Sequence, residues 1–338
     1  MTDAAFQAEL QSRTKKTQEI IEGVFASYLT AKDHPFVHVM IDAMDYSFLA
    51  GGKRLRPLLM RETFLLFAKD GEEACPELSQ FMTALEMIHT YSLVHDDLPA
   101  MDNDEYRRGK LTTWKAYGDG MAVLAGDALL NAAYEIAFGA IKGGIESGVA
   151  YGEAKVGTAD GEAKDGVVGM DDPARLSRLA MSGCLLAGNA GLDGMLGGQV
   201  ADVEAEKKGL SMDMEKILFI HERKTAALIE TAMGIGACLA GASEEQKEAV
   251  RRIAKKVGIA FQIQDDVLDV IGDSKDLGKM VGSDAESGKE TYVTLMGLEA
   301  SQAEVERLSK EAVEELKSLP GDTQFLCELI LHLIYRKK

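Results

Sequence analysis

The sequence has few of the features that mark secreted, disulfide-bonded or membrane-spanning proteins. Its four cysteines, Cys75, Cys184, Cys238 and Cys327, lie far apart without a CxxC pair, which argues against a disulfide framework or a zinc site. The N-terminal stretch carries acidic residues and lacks the apolar segment of a signal peptide. No uninterrupted apolar run approaches the roughly 18 residues of a membrane span. We therefore expect a cytoplasmic protein.

Proline and basic residues are also scarce. None of the 6 prolines lies between Pro173 and Pro320, so that stretch is free to be helical. The formal net charge is −18, which argues against a nucleic acid or an anionic membrane surface as the partner. A phosphorylated small molecule is compatible with this charge if the few basic residues are gathered locally.

Apolar residues recur at helical spacing along most of the chain, which predicts an all-α fold. Ser243, followed by Glu244–Gln246, has the capping-box pattern of a helix start. Alternating β-branched runs bounded by turns are almost absent. The predicted helices cover residues 6–29, 81–95, 121–141, 176–192, 214–239, 244–271, 303–316 and 323–335.

One segment departs from this pattern. Residues 142–172 contain eight glycines and seven acidic residues, a composition that buries too little apolar surface to order itself firmly. Helices of the same character flank the segment on both sides. We therefore predict one domain over residues 1–338, with a flexible glycine-rich insertion near 142–172, and a domain boundary at this point is the alternative.

Two aspartate-rich motifs, DDLPAMD at 96–102 and FQIQDDVLD at 261–269, are the first candidates for chemistry. Carboxylates among apolar neighbours are costly unless a cation compensates them. Hard oxygen donors without histidine or cysteine favour Mg²⁺ over zinc. Two acidic helix ends at a surface are the alternative for either motif taken alone.

The spacing within each motif carries a geometric prediction. Asp265 and Asp269 share one helix face, with Gln262 on the same side. Asp96 and Asp102 would lie on different faces of a regular helix. We expect Pro99, which removes a helical hydrogen bond, to distort the chain and bring them together.

Two basic clusters complement the aspartates. GGKRLRP at 51–57 places three cations after glycines that let backbone amides approach an anion, and RRGK at 107–110 follows the first acidic motif. Arginine offers a bidentate fork to diphosphate oxygens. The clusters predict two diphosphate sites, one bridged by metal and one held by side chains. Charge balancing between exposed helix ends is the alternative for either cluster alone.

Other phosphate and hydrolase motifs are absent. The segments 272–279 and 282–289 resemble Walker loops, but each has five residues between its glycines and no Ser or Thr after the lysine. No GxSxG, HExxH or GxGxxG frame occurs. Nucleophilic, zinc-hydrolytic and dinucleotide chemistry are therefore unsupported.

Six motifs in order, with matching spacing, resemble the trans-isoprenyl diphosphate synthase family, in particular its bacterial farnesyl diphosphate synthase branch. They are GGKRLRP, YSLVHDDLPAMDND, RRGK, GGQVAD, ERKTAAL and FQIQDDVLD. The resemblance runs from about Gly51 to Leu298, interrupted at 142–172. It implies a bundle of about ten helices around a central cavity, usually a homodimer, that uses Mg²⁺, three ions in all.

The resemblance also assigns roles to individual residues. It implies Asp96, Asp102 and Asp265 as direct metal ligands, with Asp97, Asp266 and Asp269 around them. It implies that the allylic diphosphate is held by Arg107, Lys224 and Lys279, and isopentenyl diphosphate by Lys53, Arg56, His89 and Arg108. Near the reacting carbons it places Thr225 and Gln262 beside the cation, with Lys224 and Lys279 counted as catalytic, and Gln199, Asp202 and Lys289 among the substrate-binding residues. The basic tail 336–338 resembles a C-terminus that closes over the site, although a solvated helix end explains it equally well.

The implied reaction is the head-to-tail condensation of dimethylallyl or geranyl diphosphate with isopentenyl diphosphate, through an allylic cation, to farnesyl diphosphate. Tyr91, followed by Ser92, lies five positions before Asp96 and so more than one helical turn from the metal site. The resemblance implies that Tyr91 floors the cavity of a short-chain synthase; on spacing alone it is an ordinary core aromatic.

Three alternatives to this function stay open. The first is geranylgeranyl diphosphate synthesis by the same family. The second is a terpene cyclase, which would have no use for a second diphosphate site. The third is a non-catalytic partner subunit, in which we would expect motif residues to be lost.

Overall fold

The computed structural model describes residues 2–72, 75–155, 173–208, 212–271 and 290–335. The chain is helical almost throughout, which confirms the all-α prediction. The first half contains α1 (Asp3–Ala31), α2 (His38–Phe48), α3 (Leu55–Phe67), α4 (Glu77–Asp96), β1 (Tyr106–Arg107), β2 (Lys110–Leu111), α5 (Thr113–Tyr117) and α6 (Asp119–Lys155). The second half contains α7 (Pro173–Ala190), α8 (Met195–Lys208), α9 (Met214–Ile220), a π-helical segment (His221–Ala226), α10 (Ala227–Leu239), α11 (Glu244–Ile271), α12 (Tyr292–Met296), α13 (Leu298–Lys317) and α14 (Gln324–Ile334).

Helices α4 and α10 lie at the centre of the bundle. Helix α4 packs against α1, α3, α6 and α10, and α10 also packs against α3, α7 and α11. Both are apolar on nearly every side, as helices surrounded by other helices must be. Around them, Phe25 of α1 stacks on Phe48 of α2 with ring centroids 4.1 Å apart. This packing fixes α4, whose last residue begins the first aspartate motif.

Helix α6 is long and apolar enough over Asp119–Gly144 to cross a membrane by length and composition, with a mean hydropathy of 1.3. In the structure 44% of its most apolar window is buried, and the helix packs along α4. We therefore assign α6 to the core of the bundle.

All eight predicted helices are present, and the capping box at Ser243 is confirmed by hydrogen bonds in both directions between Ser243 and Gln246. The sequence missed α2, α3, α5, α8 and α12, because these helices are short or contain glycine and proline near their ends. The predicted helix 214–239 is interrupted by the π-helical segment.

The predicted insertion is partly helical. Helix α6 continues to Lys155, so residues 142–155 form its last turns although they include four glycines. Residues 156–172 lie outside the described part of the chain.

Candidate active site

Two cavities adjoin each other near the centre of the bundle. The larger, of about 460 Å³, is lined mainly by α4 and α8. The smaller, of about 220 Å³, lies between α8, the π-helical segment and α11. Lys224 and Thr225 line both cavities, so the two spaces meet at this pair of residues.

The first aspartate motif borders the larger cavity. Helix α4 ends at Asp96, and the chain then turns so that the backbone N–H of Asp102 donates to the backbone carbonyl of Asp96 at 2.9 Å. This turn, which contains Pro99, brings the two aspartates together as the sequence predicted. The side-chain amide of Gln199 donates to Asp96 Oδ1 at 2.7 Å. Gln199 therefore links α8 to the motif.

Burial makes the Asp96 carboxylate costly. Desolvation raises its pKa to about 6; Lys224 opposes this shift, and the negative charge of Asp102 adds to it. A nearby cation would remove this cost, because an opposite charge favours the ionised carboxyl group.

Asp97 points away from the cavity and holds Arg107. It is 3% exposed, and Arg107 Nε donates to its two oxygens at 2.7 and 2.9 Å. A carboxylate whose two oxygens both accept hydrogen bonds from an arginine is a poor candidate for direct metal binding and a good candidate for orienting that arginine. The supporting role around the metal that the resemblance implies for Asp97 stays a prediction.

The second aspartate motif lines the smaller cavity through Asp265, Asp266 and Asp269. The Asp266 Oδ2 atom accepts a hydrogen bond from the backbone N–H of Tyr292 at 3.0 Å. His221 Nε2 lies 3.5 Å from the same oxygen. Asp266 is therefore fixed by groups from two other elements.

Between the motifs, Lys224 and Thr225 each have a defined partner. Lys224 Nζ is 2.6 Å from Asp202 Oδ2. The hydroxyl of Thr225 donates to Gln262 Oε1 at 2.7 Å. These two contacts join α8 and α11 to the π-helical segment at the point where the cavities meet.

The π-helical segment is held between two glycines. A Cβ atom at Gly198 of α8 would lie 2.2 Å from the backbone nitrogen of Lys224, and one at Gly258 of α11 would lie 2.3 Å from Ala226 Cβ. π-Helical turns inside α-helices occur frequently at functional sites. Here the turn presents Lys224 and Thr225 to both cavities.

The basic residues of the first cluster divide into two kinds. Arg54 is 2% exposed; its guanidinium is 2.8 Å from Glu86 and donates to the Phe48 carbonyl at 2.6 Å. Arg54 therefore supports the loop from inside. Arg56 and His89 instead line the larger cavity, while Lys53 is exposed on the same loop.

Arg108 approaches this loop from the β1–β2 hairpin. Arg108 and Gly109 form its two-residue turn with φ values of 53° and 77°, the conformation of a type I′ turn. The guanidinium donates to the Gly51 carbonyl and lies where a Cβ of Gly52 would be, at 2.6 Å. Gly52 thus allows the two basic clusters to meet.

The meeting of these arginines makes a strongly positive site around His89. Burial lowers the pKa of His89 well below its usual value, and Arg56, Arg108, Arg107 and Arg54 lower it further. The Nε of Arg56 is buried and has no hydrogen-bond partner within the described ranges. An unpaired buried donor is costly, and an anionic oxygen would satisfy it.

The donor chemistry fits Mg²⁺, because oxygen donors from the two aspartate motifs border two adjoining cavities. In the described ranges, however, no three acidic, histidine or cysteine side chains are grouped closely enough to hold a metal ion by themselves. In phosphate sites, Mg²⁺ is commonly held by one or two carboxylates together with water and substrate phosphates.

Some predicted residues cannot be placed. Lys279, Lys289 and the tail 336–338 lie outside the described residues. Asp102 is exposed rather than inside either cavity. The structure also reveals a buried histidine that the sequence did not single out, His221, which is 6% exposed and lines the smaller cavity. A single histidine beside the ERKTAAL motif gives no sequence signal of its own.

Comparison with known proteins identifies the family of this chain. The polyprenyl synthetase family model matches residues 37–179 and 186–330. The chain belongs to the polyprenyl synthetase family. Farnesyl diphosphate synthase from Micrococcus luteus is 36% identical over 329 residues, covering 97% of this chain and 100% of that protein.

Two further similar proteins have names that include other products. The chloroplastic heterodimeric geranylgeranyl pyrophosphate synthase large subunit 1 of Arabidopsis thaliana is 40% identical, covering 88% of this chain and 72% of that protein. The crystal structure of an FPP/GFPP synthase from Zymomonas mobilis superposes with a TM-score of 0.75 at 30% identity, covering 97% of this chain and 99% of that one. Both support the predicted family and fold.

Proposed function

We propose that this polyprenyl synthetase family member joins isopentenyl diphosphate to dimethylallyl or geranyl diphosphate and makes farnesyl diphosphate. The observation that carries the proposal is the meeting of two unlike sites in one space. Aspartates and Lys224 border one side, and the arginine-rich surroundings of His89 form the other. Each is suited to one diphosphate, and a condensation needs two.

The allylic diphosphate occupies the side bordered by the aspartates. Asp96, Asp102 and Asp265 would hold Mg²⁺, as three ions, and the bound ions would supply positive charge that stabilises the departing diphosphate. Lys224, Arg107 and Lys279 hold the diphosphate oxygens. Asp97 keeps the Arg107 fork oriented through its two hydrogen bonds.

Isopentenyl diphosphate binds among Lys53, Arg56, His89 and Arg108. The buried Nε of Arg56 gains a partner there, and neutral His89 donates or accepts without adding another positive charge. The bidentate geometry of arginine suits this second diphosphate, which side chains hold without metal.

Thr225 and Gln262, hydrogen-bonded to each other, lie beside the allylic cation that forms when the C–O bond breaks. Their oxygen dipoles stabilise positive charge, and the apolar wall of the larger cavity excludes water that would otherwise capture the cation. The alkene of isopentenyl diphosphate attacks the cation. The departed diphosphate then takes the proton that the new chain loses.

A second candidate function differs from the first in product length. Tyr91 is 8% exposed and lines the larger cavity, which favours a short product such as farnesyl diphosphate. Geranylgeranyl diphosphate synthesis is the second candidate, because the Arabidopsis relative of that name is 40% identical to this chain. We also propose that the protein is a homodimer in the cytoplasm.

Mass analysis of products tests the proposal. The purified protein is incubated with Mg²⁺, isopentenyl diphosphate and each allylic primer in turn. We expect the five- and ten-carbon primers to yield a fifteen-carbon diphosphate as the main product. A twenty-carbon main product would favour the second candidate, and cyclic hydrocarbons would refute both.

A further inference from the structure

The wall of the larger cavity contains a histidine that none of the roles above uses. His95 lies one position before Asp96 and one helical turn after Tyr91, so His95 and Tyr91 share a face of α4. Their rings meet edge-on, with centroids 5.8 Å apart and an interplanar angle of 82°. Both line the cavity, and along α4 His95 is the nearer of the two to Asp96.

The His95 ring is held against α6. Its Nε2 donates to the backbone carbonyl of Val123 at 3.0 Å, and Asp127 Oδ1 lies 3.9 Å from the same nitrogen. The ring thus spans α4 and α6 while supporting Tyr91.

Gly126 makes this position available. A Cβ atom at residue 126 would lie 2.1 Å from His95 Nε2 and 2.3 Å from its Cδ2. A contact that short is impossible, so any larger residue at 126 must displace the ring from α6. Because His95 lines the cavity, a displaced ring moves towards the space where the chain grows.

We propose that His95 determines product length together with Tyr91, and that Gly126 keeps the His95 ring out of the growing chain's path. This inference rests on the proposed prenyl elongation. A chain extending from Asp96 towards Tyr91 passes His95 first, so a ring pushed inwards stops the chain earlier. Removing the ring opens the wall towards α6 and leaves Tyr91 without its support.

Two substitutions are therefore expected to act in opposite directions. His95→Ala should lengthen the main product by one isoprene unit. Gly126→Ala should shorten it, raising the share of ten-carbon product made from the five-carbon primer. The double variant should behave like His95→Ala, because no ring remains to be displaced.

Gly139→Ala is the matched control, since Gly139 lies on the same helix and a Cβ there would meet nothing within 4 Å. Product lengths are measured by mass at low conversion, and thermal denaturation checks that each variant is folded. If Gly126→Ala does not fold, the double variant still carries the test, because the clash is removed in it.

An unchanged product distribution in folded His95→Ala would overturn the inference. So would shifts in the same direction for His95→Ala and Gly126→Ala, or an equal shift in Gly139→Ala. Absence of any condensation by the wild type would refute the proposed function and the inference with it. If the wild type condenses the substrates and every variant makes products of wild-type length, the inference alone is refuted.

Discussion

The packing of Gly198 against the π-helical segment gives the sharpest prediction for catalysis. A methyl group at residue 198 would lie 2.2 Å from the Lys224 backbone nitrogen, whereas ordinary contacts begin near 3.4 Å. The neighbouring atom belongs to the backbone, so no flexible side chain can move aside. In Gly198→Ala, α8 and the π-helical segment must separate by about 1 Å, and a 1 Å misplacement of catalytic groups can cost roughly a hundredfold in rate.

We therefore expect Gly198→Ala to lower kcat about a hundredfold, while the affinity for isopentenyl diphosphate changes little. The reason is that the variant displaces Lys224 and Thr225, which contact the allylic substrate, but does not displace the arginines around His89. Steady-state kinetics gives kcat, and calorimetric titration gives the isopentenyl diphosphate affinity.

Gly188→Ala is the control, because Gly188 is also helical and a Cβ there would meet nothing within 4 Å. It should retain wild-type kinetics. A folded Gly198→Ala enzyme with near-wild-type kcat would show that the position of the π-helical segment does not govern turnover.

Four further outcomes are expected. Asp265→Ala should lose orders of magnitude in turnover while its circular dichroism spectrum stays helical, because a metal-holding carboxylate is removed; near-normal turnover at saturating Mg²⁺ would reject that role. Arg56→Lys keeps the charge but loses the bidentate fork, so titration should show weaker binding of isopentenyl diphosphate, and a selective loss of allylic binding would contradict the two-site arrangement. Tyr91→Ala should lengthen the product by at least one isoprene unit on mass analysis, and an active variant with unchanged products would place the floor elsewhere. The pKa of His89 is lowered in the folded protein, so the unfolded chain binds more protons and the free energy of unfolding falls as pH drops below the ordinary histidine value of 6.5. Denaturant titrations should therefore show that His89→Gln loses less stability than wild type from pH 7 to 5, by up to about 1.4 kcal/mol per pH unit. Parallel stability curves for the two proteins would contradict the lowered pKa.

The long helices were predictable because their apolar periodicity extends over many turns. The predicted ends of the helix at 244–271 coincide with those of α11, where a capping box marks the start. Short helices carry too few turns for that signal. Helix α8 begins after Gly194 and contains Gly197 and Gly198, which lowers its helical propensity although packing stabilises it.

The composition of the site was predictable, but its internal contacts were not. Charge and spacing identified the aspartate motifs and the arginine clusters. The two-residue hairpin that brings Arg108 to Gly52 contains too little sequence to reveal a pairing across more than fifty positions. A search for 3.6-residue periodicity does not detect a π-helical segment, and a single histidine such as His221 forms no sequence pattern. These features arise from tertiary packing, which a local sequence signal does not encode.

In the proposed reaction, diphosphate leaves the allylic substrate, and the resulting allylic cation forms a carbon–carbon bond with isopentenyl diphosphate. The most direct test counts both events in the same reaction with purified protein, geranyl diphosphate, isopentenyl diphosphate and Mg²⁺. We expect one diphosphate to be released for each isopentenyl diphosphate incorporated, and no reaction when Mg²⁺ is chelated. Diphosphate released at the same rate without isopentenyl diphosphate, with no chain extension, would contradict it.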